Sequence, residues 1–104
     1  MRKLPIYCVE TEENRIAVTF DAAWSAEDTD EIIGILKKHN AKATFFAVGD
    51  WVEKNPEAVK KLYNAGHEIG NHSDTHPSFS QINREEIKSE ILNGSSLLDS
   101  HVYN

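Results

Sequence analysis

Three short apolar runs, separated by segments with helical periodicity, constrain the fold of this chain most strongly. The runs are rich in β-branched and aromatic residues and end at loops, which predicts short buried strands. Strands that alternate with helices pair in parallel through right-handed crossovers. The sequence therefore predicts an α/β fold built on a parallel sheet, with strands at residues 16–20, 44–48 and 67–70.

Helices are expected after each of these strands, because apolar residues recur there at helical spacing. Ser25 is predicted to cap the first helix, with Asp28 at the capping-box position. Helices are predicted at residues 28–39, briefly after Gly49, from Asn55 to Ala65, and at 83–99. The side chains predicted to face inward are Ile32, Ile33, Ile35 and Leu36 in the first helix and Ile87, Ile91, Leu92 and Leu98 in the last.

Length and composition limit the kinds of protein and partner. A chain of 104 residues forms at most one domain. Its net charge of −6 and its lack of a Lys/Arg cluster argue against nucleic acid and anionic membranes as partners. No apolar stretch approaches the roughly 18 residues of a membrane span. Cys8 is the single cysteine, so no intrachain disulfide forms, and we expect a half-buried structural residue.

The segment before the first predicted strand contains one more strand-like run, at residues 6–9. It is short and apolar, and it lies within a stretch, residues 4–13, that has no helical periodicity. We expect this run to lie against the outside or an end of the sheet.

Asp21 follows the first predicted strand, and His72 and His76 follow the third. The carboxyl ends of parallel strands share one rim, which is where α/β folds bind ligands. A carboxylate and two imidazoles are suited to hold a divalent metal and activate water. The alternative is structural: two surface histidines that cap a turn, and an aspartate that caps the next loop. Metal-assisted hydrolysis is the interpretation that the pattern favours.

Aromatic residues fall near the same rim. Trp24, Trp51 and Phe79 are placed where their rings would stack on the faces of sugars, or would cover the top of the core. The sequence leaves both interpretations open. His67 and His39 are predicted to be structural.

Three motifs of this chain resemble those of the NodB-type polysaccharide deacetylases, carbohydrate esterase family 4. They are Thr19-Phe20-Asp21, then Lys42-Ala43-Thr44-Phe45-Phe46, and then Gly66-His67-Glu68-Ile69-Gly70-Asn71-His72-Ser73 with His76. The run at residues 2–11, together with Asp21-Ala22-Ala23-Trp24, resembles the clostridial, sporulation-associated branch. The resemblance extends over almost the whole chain.

The resemblance implies a distorted (β/α) barrel that removes N-acetyl or O-acetyl groups from polysaccharides such as peptidoglycan or chitin-like glycans. It implies that Asp21 is the general base and that His72 and His76 are ligands of a divalent metal. Zinc is the expected metal, with cobalt, manganese and nickel as alternatives. An acetylated polysaccharide is the expected partner, and an extracytoplasmic or cell-wall location is the expected one.

Two departures from the family pattern shape the expected activity. The family carries a second aspartate, a metal ligand, directly after the base, and here that position is Ala22. Asp28 or Asp74 is a candidate to replace it. The family's later motifs, with the catalytic acid, would lie beyond residue 104, so residues 1–104 are expected to form a partial NodB homology domain without its C-terminal half.

Such a half-barrel would leave an open sheet edge and apolar faces, which predicts a homo-oligomer or an element-swapped dimer. The expected function is an impaired metal-dependent deacetylation. The alternatives are a non-catalytic carbohydrate-binding or assembly module and an inactive truncated product.

Overall fold

Three parallel strands form the central sheet, and their order in the sheet is their order in the chain. The structure is a computed structural model that describes residues 3–23 and 25–103. Strand β1 is Thr19–Ala22, β2 is Thr44–Ala47 and β3 is Glu68–Asn71. The predicted α/β class and the predicted parallel pairing are confirmed.

Strand β1 begins three residues later than the sequence predicts, at Thr19 rather than Ile16. Pairing with the neighbouring strand sets this start, because the Thr44 N–H donates to the Val18 carbonyl at 3.0 Å. Ile16 is exposed and lies outside the strand. The predicted start is wrong because an apolar run does not reveal where the partner strand begins.

The helices follow the sequence prediction closely. The longest of them has 15 residues, and no helix in the described part of the chain is long and apolar enough to cross a membrane. Their bounds are Thr29–Lys38 for α1, Gly49–Lys54 for α2, Pro56–Asn64 for α3 and Arg84–Leu98 for α4. A 3₁₀ turn at Phe79–Gln81 precedes α4, and a π-helical turn at Asp99–Tyr103 follows it.

Helix α4 has a side-chain cap, whereas the cap predicted for α1 is wrong. The Asn83 Oδ1 accepts from the Glu86 N–H at 2.8 Å, and the Asn83 Nδ2 donates to the Glu86 Oε1 at 2.7 Å. At α1 the capping position is Asp28 and no side chain caps it. The Ser25 hydroxyl instead accepts from the Glu27 N–H at 3.2 Å, a local bond that competes with capping.

The core lies between the sheet and the helices. Its buried apolar residues are Leu36, Ala43, Phe45, Ala47, Val48, Trp51, Val52, Val59, Leu62, Ile69, Leu98 and Val102. Leu36 and Leu98 are buried as predicted. Ile35, Ile91 and Leu92 are exposed, against the prediction. A sheet of three strands covers only a narrow stripe of each helix, so apolar residues beside that stripe remain exposed.

Residues 3–18, the described residues before β1, form no regular secondary structure. The predicted strand at 6–9 is therefore wrong, and its large side chains are exposed, with Ile6 at 87%. Within the described residues this run pairs with no strand, and apolar character alone does not hold an extended chain in place. Cys8 is exposed rather than half-buried.

One face of the sheet carries Asp21, Phe46 and Gly70, which are aligned across the three strands. A Cβ atom at Gly70 would lie 2.6 Å from the Phe46 ring, so only glycine lets this ring lie across β3. Phe46 itself remains 36% exposed. This face is therefore the open side of the sheet.

Tyr103, in the turn after α4, reaches the outer edge of β3. Its hydroxyl donates to the Ile69 carbonyl and accepts from the Ile69 N–H, the latter at 3.2 Å. The Tyr103 ring also packs edge-on against Tyr63 of α3, with centroids 5.3 Å apart. One side chain thus satisfies both backbone groups of Ile69 on that edge.

His67 is buried just before β3, with 4% of its surface exposed. Its Nδ1 accepts from the Ala43 N–H at 3.1 Å, and its ring packs edge-on against Phe45. Burial lowers the pKa of His67 below its usual range, and the positive charge of Lys42 lowers it further. The structural role predicted for His67 is confirmed.

The lowered pKa of His67 predicts a pH-dependent stability. Below the ordinary histidine pKa the unfolded chain binds a proton at this residue while the folded chain does not, so the free energy of unfolding falls as the pH falls toward the folded-state pKa. The His67→Asn variant keeps an acceptor for Ala43 but does not titrate. Urea denaturation between about pH 5 and 8 should show a shallower decline for His67→Asn than for the wild-type chain. Equal declines would contradict this assignment.

Candidate active site

Asp21 and His72 come together at the carboxyl ends of β1 and β3. The Asp21 Oδ2 lies 3.6 Å from the His72 Nε2. The strand register brings them close, since Ala22 pairs with Ala47, which in turn pairs with Asn71. The backbone N–H of His72 donates to the Ala47 carbonyl at 3.1 Å. The predicted meeting of these two side chains at one rim is confirmed.

His76 joins this pair from the same loop. The rings of His72 and His76 lie with centroids 4.8 Å apart and planes at 81°. Ser73 and His76 both have left-handed backbones, with φ of 67° and 62°, a conformation that costs about 1–2 kcal/mol at a non-glycine residue. The Ser73 Oγ accepts from the His76 N–H at 3.0 Å. Contacts with neighbouring elements must stabilise so tight a loop.

Asn71 links this loop to α4. Its Nδ2 donates to the Ile91 carbonyl at 2.8 Å and to the Ser95 Oγ at 2.9 Å. Its Oδ1 accepts from the Ser73 N–H at 2.9 Å. A Cβ atom at Gly94 would lie 2.3 Å from this oxygen, so the absence of a side chain at Gly94 makes room for the amide.

The first residues of α2 hold the other side of the loop. The N–H groups of Gly49 and Asp50 donate to the carbonyls of Ser73 and Asp74, at 2.8 and 2.7 Å. A Cβ atom at Gly49 would lie 2.8 Å from the Asp74 Oδ1 and 3.1 Å from its Cα, so the close approach requires glycine. The loop with the two histidines is therefore fixed by backbone contacts as well as by Asn71.

A pocket of about 400 Å³ opens beside the two imidazoles. Four polar residues of the loop and three apolar residues line it. Its lining residues are Asn71, His72, Ser73, His76, Pro77, Phe79 and Ile91. A small apolar group next to a polar reacting group would fit such a pocket.

Phe79 and Trp51, two of the three aromatic residues predicted near the rim, lie in different environments. Phe79 lines the pocket and is partly exposed. Trp51 is 5% exposed and packs in the core, so it offers no open ring face to a sugar. The binding role predicted for Trp51 does not fit this structure, because α2 turns the residue inward. Trp24 lies outside the described residues.

The donor chemistry of the site suits a divalent metal. Neutral imidazoles are ligands that zinc prefers, and His72 and His76 place two of them side by side. Within residues 3–23 and 25–103, no three His, Cys, Asp or Glu side chains are grouped to hold an ion. Neither Asp28 nor Asp74 completes such a group in place of Ala22. The site thus offers a metal two imidazoles, fewer than the three protein ligands that catalytic zinc sites typically have.

The chain is similar in sequence to known proteins of one family. A family model, polysaccharide deacetylase, matches residues 9–103. The peptidoglycan-N-acetylglucosamine deacetylase of Bacillus cereus is 42% identical over 84 residues, which make up 81% of this chain and 30% of that protein.

Solved structures with a similar fold indicate the same family. BA3943 of Bacillus anthracis, described as a pseudoenzyme of carbohydrate esterase family 4, has a TM-score of 0.92 and 33% identity, over 100% of this chain and 37% of that chain. A BA3943 mutant described as having restored enzymatic activity has the same TM-score of 0.92 and 34% identity, over 100% of this chain and 38% of that one.

The chain spans less than half the length of each of these proteins. The predicted resemblance to NodB-type deacetylases is confirmed at the level of the family, and the structural neighbours are deacetylase barrels of which this chain covers a part. The chain therefore belongs to the polysaccharide deacetylase family, carbohydrate esterase family 4, whose hydrolases act on carbon–nitrogen bonds other than peptide bonds.

Proposed function

We propose that this chain supplies the base and metal-ligand residues of a metal-dependent deacetylase. Its substrate is an N-acetylated or O-acetylated polysaccharide, such as peptidoglycan or a chitin-like glycan. One observation supports this most directly: the Asp21 carboxylate lies 3.6 Å from His72, whose ring adjoins that of His76. Family membership and the name of the Bacillus cereus relative support the choice of substrate.

His72 and His76 would hold the metal, which we propose is zinc, with cobalt, manganese and nickel as alternatives. A divalent metal bound there supplies Lewis-acid polarisation of the acetyl carbonyl. Asp21 accepts the proton of the attacking water as general base. The bond between the acetyl carbon and the sugar nitrogen or oxygen then breaks, and that nitrogen or oxygen takes up the proton that Asp21 accepted. The products are acetate and the free amine or hydroxyl. The apolar wall of the pocket, at Pro77, Phe79 and Ile91, accommodates the acetyl methyl group.

Several further parts of the proposal concern the protein's setting. Trp24 stacks on a sugar ring of the substrate. The chain works outside the cytoplasm or at the cell wall, as the substrate in the relative's name suggests. The sporulation-associated, clostridial assignment is supported by residues 2–11 of the sequence. Self-association is supported by the exposed Phe46 on the open sheet face.

A second candidate function is glycan binding without turnover. Ala22 stands where the family has a metal ligand, and the described residues contain no three-ligand group. The pseudoenzyme BA3943, which matches over the whole of this chain, supports this candidate. In it the pocket would bind an acetylated sugar while hydrolysis is weak or absent.

A zinc titration of the metal-stripped protein tests the proposed metal site. We expect the wild-type chain to bind zinc in isothermal calorimetry. His72→Ala should bind more than about 10-fold more weakly, since the loss of a mere supporting residue often costs that much. His39→Ala is the matched control, because His39 is an exposed histidine at the end of α1. No zinc binding, or equal losses in the two variants, would contradict the proposal.

Two assays separate the enzyme from the binding module. Acetate release from an acetylated chito-oligosaccharide, lost in Asp21→Asn, would support the enzyme. Binding of the same oligosaccharide in the presence of a chelator, without acetate release, would support the module.

A further inference from the structure

Glu90 is a half-buried residue of α4 whose side chain contacts the loop with the histidines. Its Oε1 accepts from the N–H groups of Asp74 and Thr75, at 3.1 and 2.7 Å. Its Oε2 accepts from the Thr75 Oγ1 at 3.0 Å. One carboxylate thus takes three hydrogen bonds from two consecutive residues. Bonds to an ionised acceptor are about twice as strong as those between neutral groups.

These bonds hold the part of the loop that joins the two histidines. Asp74 and Thr75 lie between His72 and His76, so Glu90 holds the middle of the segment that joins the two imidazoles. The left-handed residue His76 follows Thr75 directly. Glu90 thus adds a third set of contacts on this segment, beside those of Asn71 and those of the first residues of α2.

We propose that Glu90 is a positioning residue that sets the spacing of His72 and His76 and thereby their affinity for metal. The proposal rests on the metal role proposed above for the two histidines. Glu90 acts through hydrogen bonds to the backbone and is not itself a ligand. Groups that hydrogen-bond to the ligands themselves typically change metal affinity 10- to 100-fold when they are removed, and we expect an effect of the same order for Glu90.

Two substitutions of Glu90 separate the effect of its hydrogen-bond acceptor from the effect of its negative charge. Glu90→Gln keeps an oxygen that accepts from both N–H groups but removes the charge. Glu90→Ala removes the acceptor and favours helix, so α4 is expected to remain folded. Glu85→Ala is the matched control, because Glu85 is exposed on the same helix.

The experiment uses the full chain and two measurements. Amide hydrogen exchange follows the N–H groups of Asp74 and Thr75 without metal, and calorimetry follows zinc binding. We expect Glu90→Ala to lose protection of both amides and to bind zinc about 10- to 100-fold more weakly. Glu90→Gln should retain most of both properties, and Glu85→Ala should match the wild-type chain.

Three results would overturn the proposal. They are unchanged amide protection in Glu90→Ala, zinc affinity in Glu90→Ala equal to that of the wild-type chain, and a loss in Glu90→Gln as large as that in Glu90→Ala, which would indicate a purely electrostatic effect. If the wild-type chain binds no zinc, the metal site itself fails. The exchange of the two amides still decides in that case whether Glu90 holds the loop.

Discussion

Ala22→Asp is expected to raise the zinc affinity of this chain about 100-fold, since a direct ligand should contribute at least as much as the 10- to 100-fold of a supporting group. Catalytic zinc sites typically have three protein ligands, and His72 and His76 supply two imidazoles. Ala22 is the last residue of β1 and is aligned through Ala47 with Asn71, directly before His72. A carboxylate there would stand at the same rim as the imidazoles.

The new carboxylate would also follow Asp21 directly in the chain. Two adjacent carboxylates repel each other when ionised, so the metal-free Ala22→Asp variant is expected to be less stable than the wild-type chain at neutral pH. Bound zinc relieves the repulsion, and thermal unfolding should therefore respond more strongly to zinc in the variant.

Calorimetry with zinc is the direct measurement for this prediction, and Ala22→Asn is the control of equal size without the charge. Acetate release provides a second measurement. Activity that appears in Ala22→Asp and is lost in the Ala22→Asp/Asp21→Asn double variant would separate the ligand from the base. Equal zinc affinity for Ala22→Asp and Ala22→Asn would contradict the assignment of this position.

Gly94→Ala and Gly34→Ala should change stability in opposite directions, although both replace a glycine inside a helix. At Gly34, in α1, an added Cβ meets nothing within 4 Å. Alanine there is expected to stabilise the protein by about 1 kcal/mol through helix propensity. At Gly94 the added Cβ would lie 2.3 Å from the Asn71 Oδ1. The amide must then leave its place.

The loss at Gly94 follows from the three hydrogen bonds of Asn71 described above. At about 1 kcal/mol each, they outweigh the helix-propensity gain, which leaves a net destabilisation of about 2 kcal/mol. Urea denaturation measures both variants. In an Asn71→Ala background, Gly94→Ala should no longer destabilise, because the clashing group is absent. A stabilising Gly94→Ala in the wild-type background would show that the amide moves without loss.

The sequence predicts the helices better than the strands for a physical reason. Helical periodicity is a property of one segment, and α1, α3 and α4 each lie within one or two residues of their predicted bounds. The bounds of a strand depend on where its pairing with the neighbouring strand begins and ends. The apolar run at 16–20 therefore does not reveal that β1 starts at Thr19. The run at 6–9 has strand-like composition and still forms no strand.

In the candidate site, too, the sequence predicts some of the residues and not others. The sequence predicts where Asp21, His72 and His76 lie, because Asp21 is near the end of β1 and both histidines follow β3. The carboxyl ends of parallel strands share a rim. Glu90 and Gly94 were not predictable, because they contact the loop through hydrogen bonds to backbone and through close approach. Those contacts depend on how α4 packs beside β3, and they leave no pattern along the chain.

The hydroxyl of Tyr103 makes the two edges of the sheet unequal. It occupies both backbone groups of Ile69 on the β3 side, whereas within the described residues β1 pairs with β2 alone. A sheet with one available edge can add a strand on that side only. If copies of this chain join through their sheets, two β1 edges meet and the assembly closes as a pair, so that growth into an open-ended fibril is blocked.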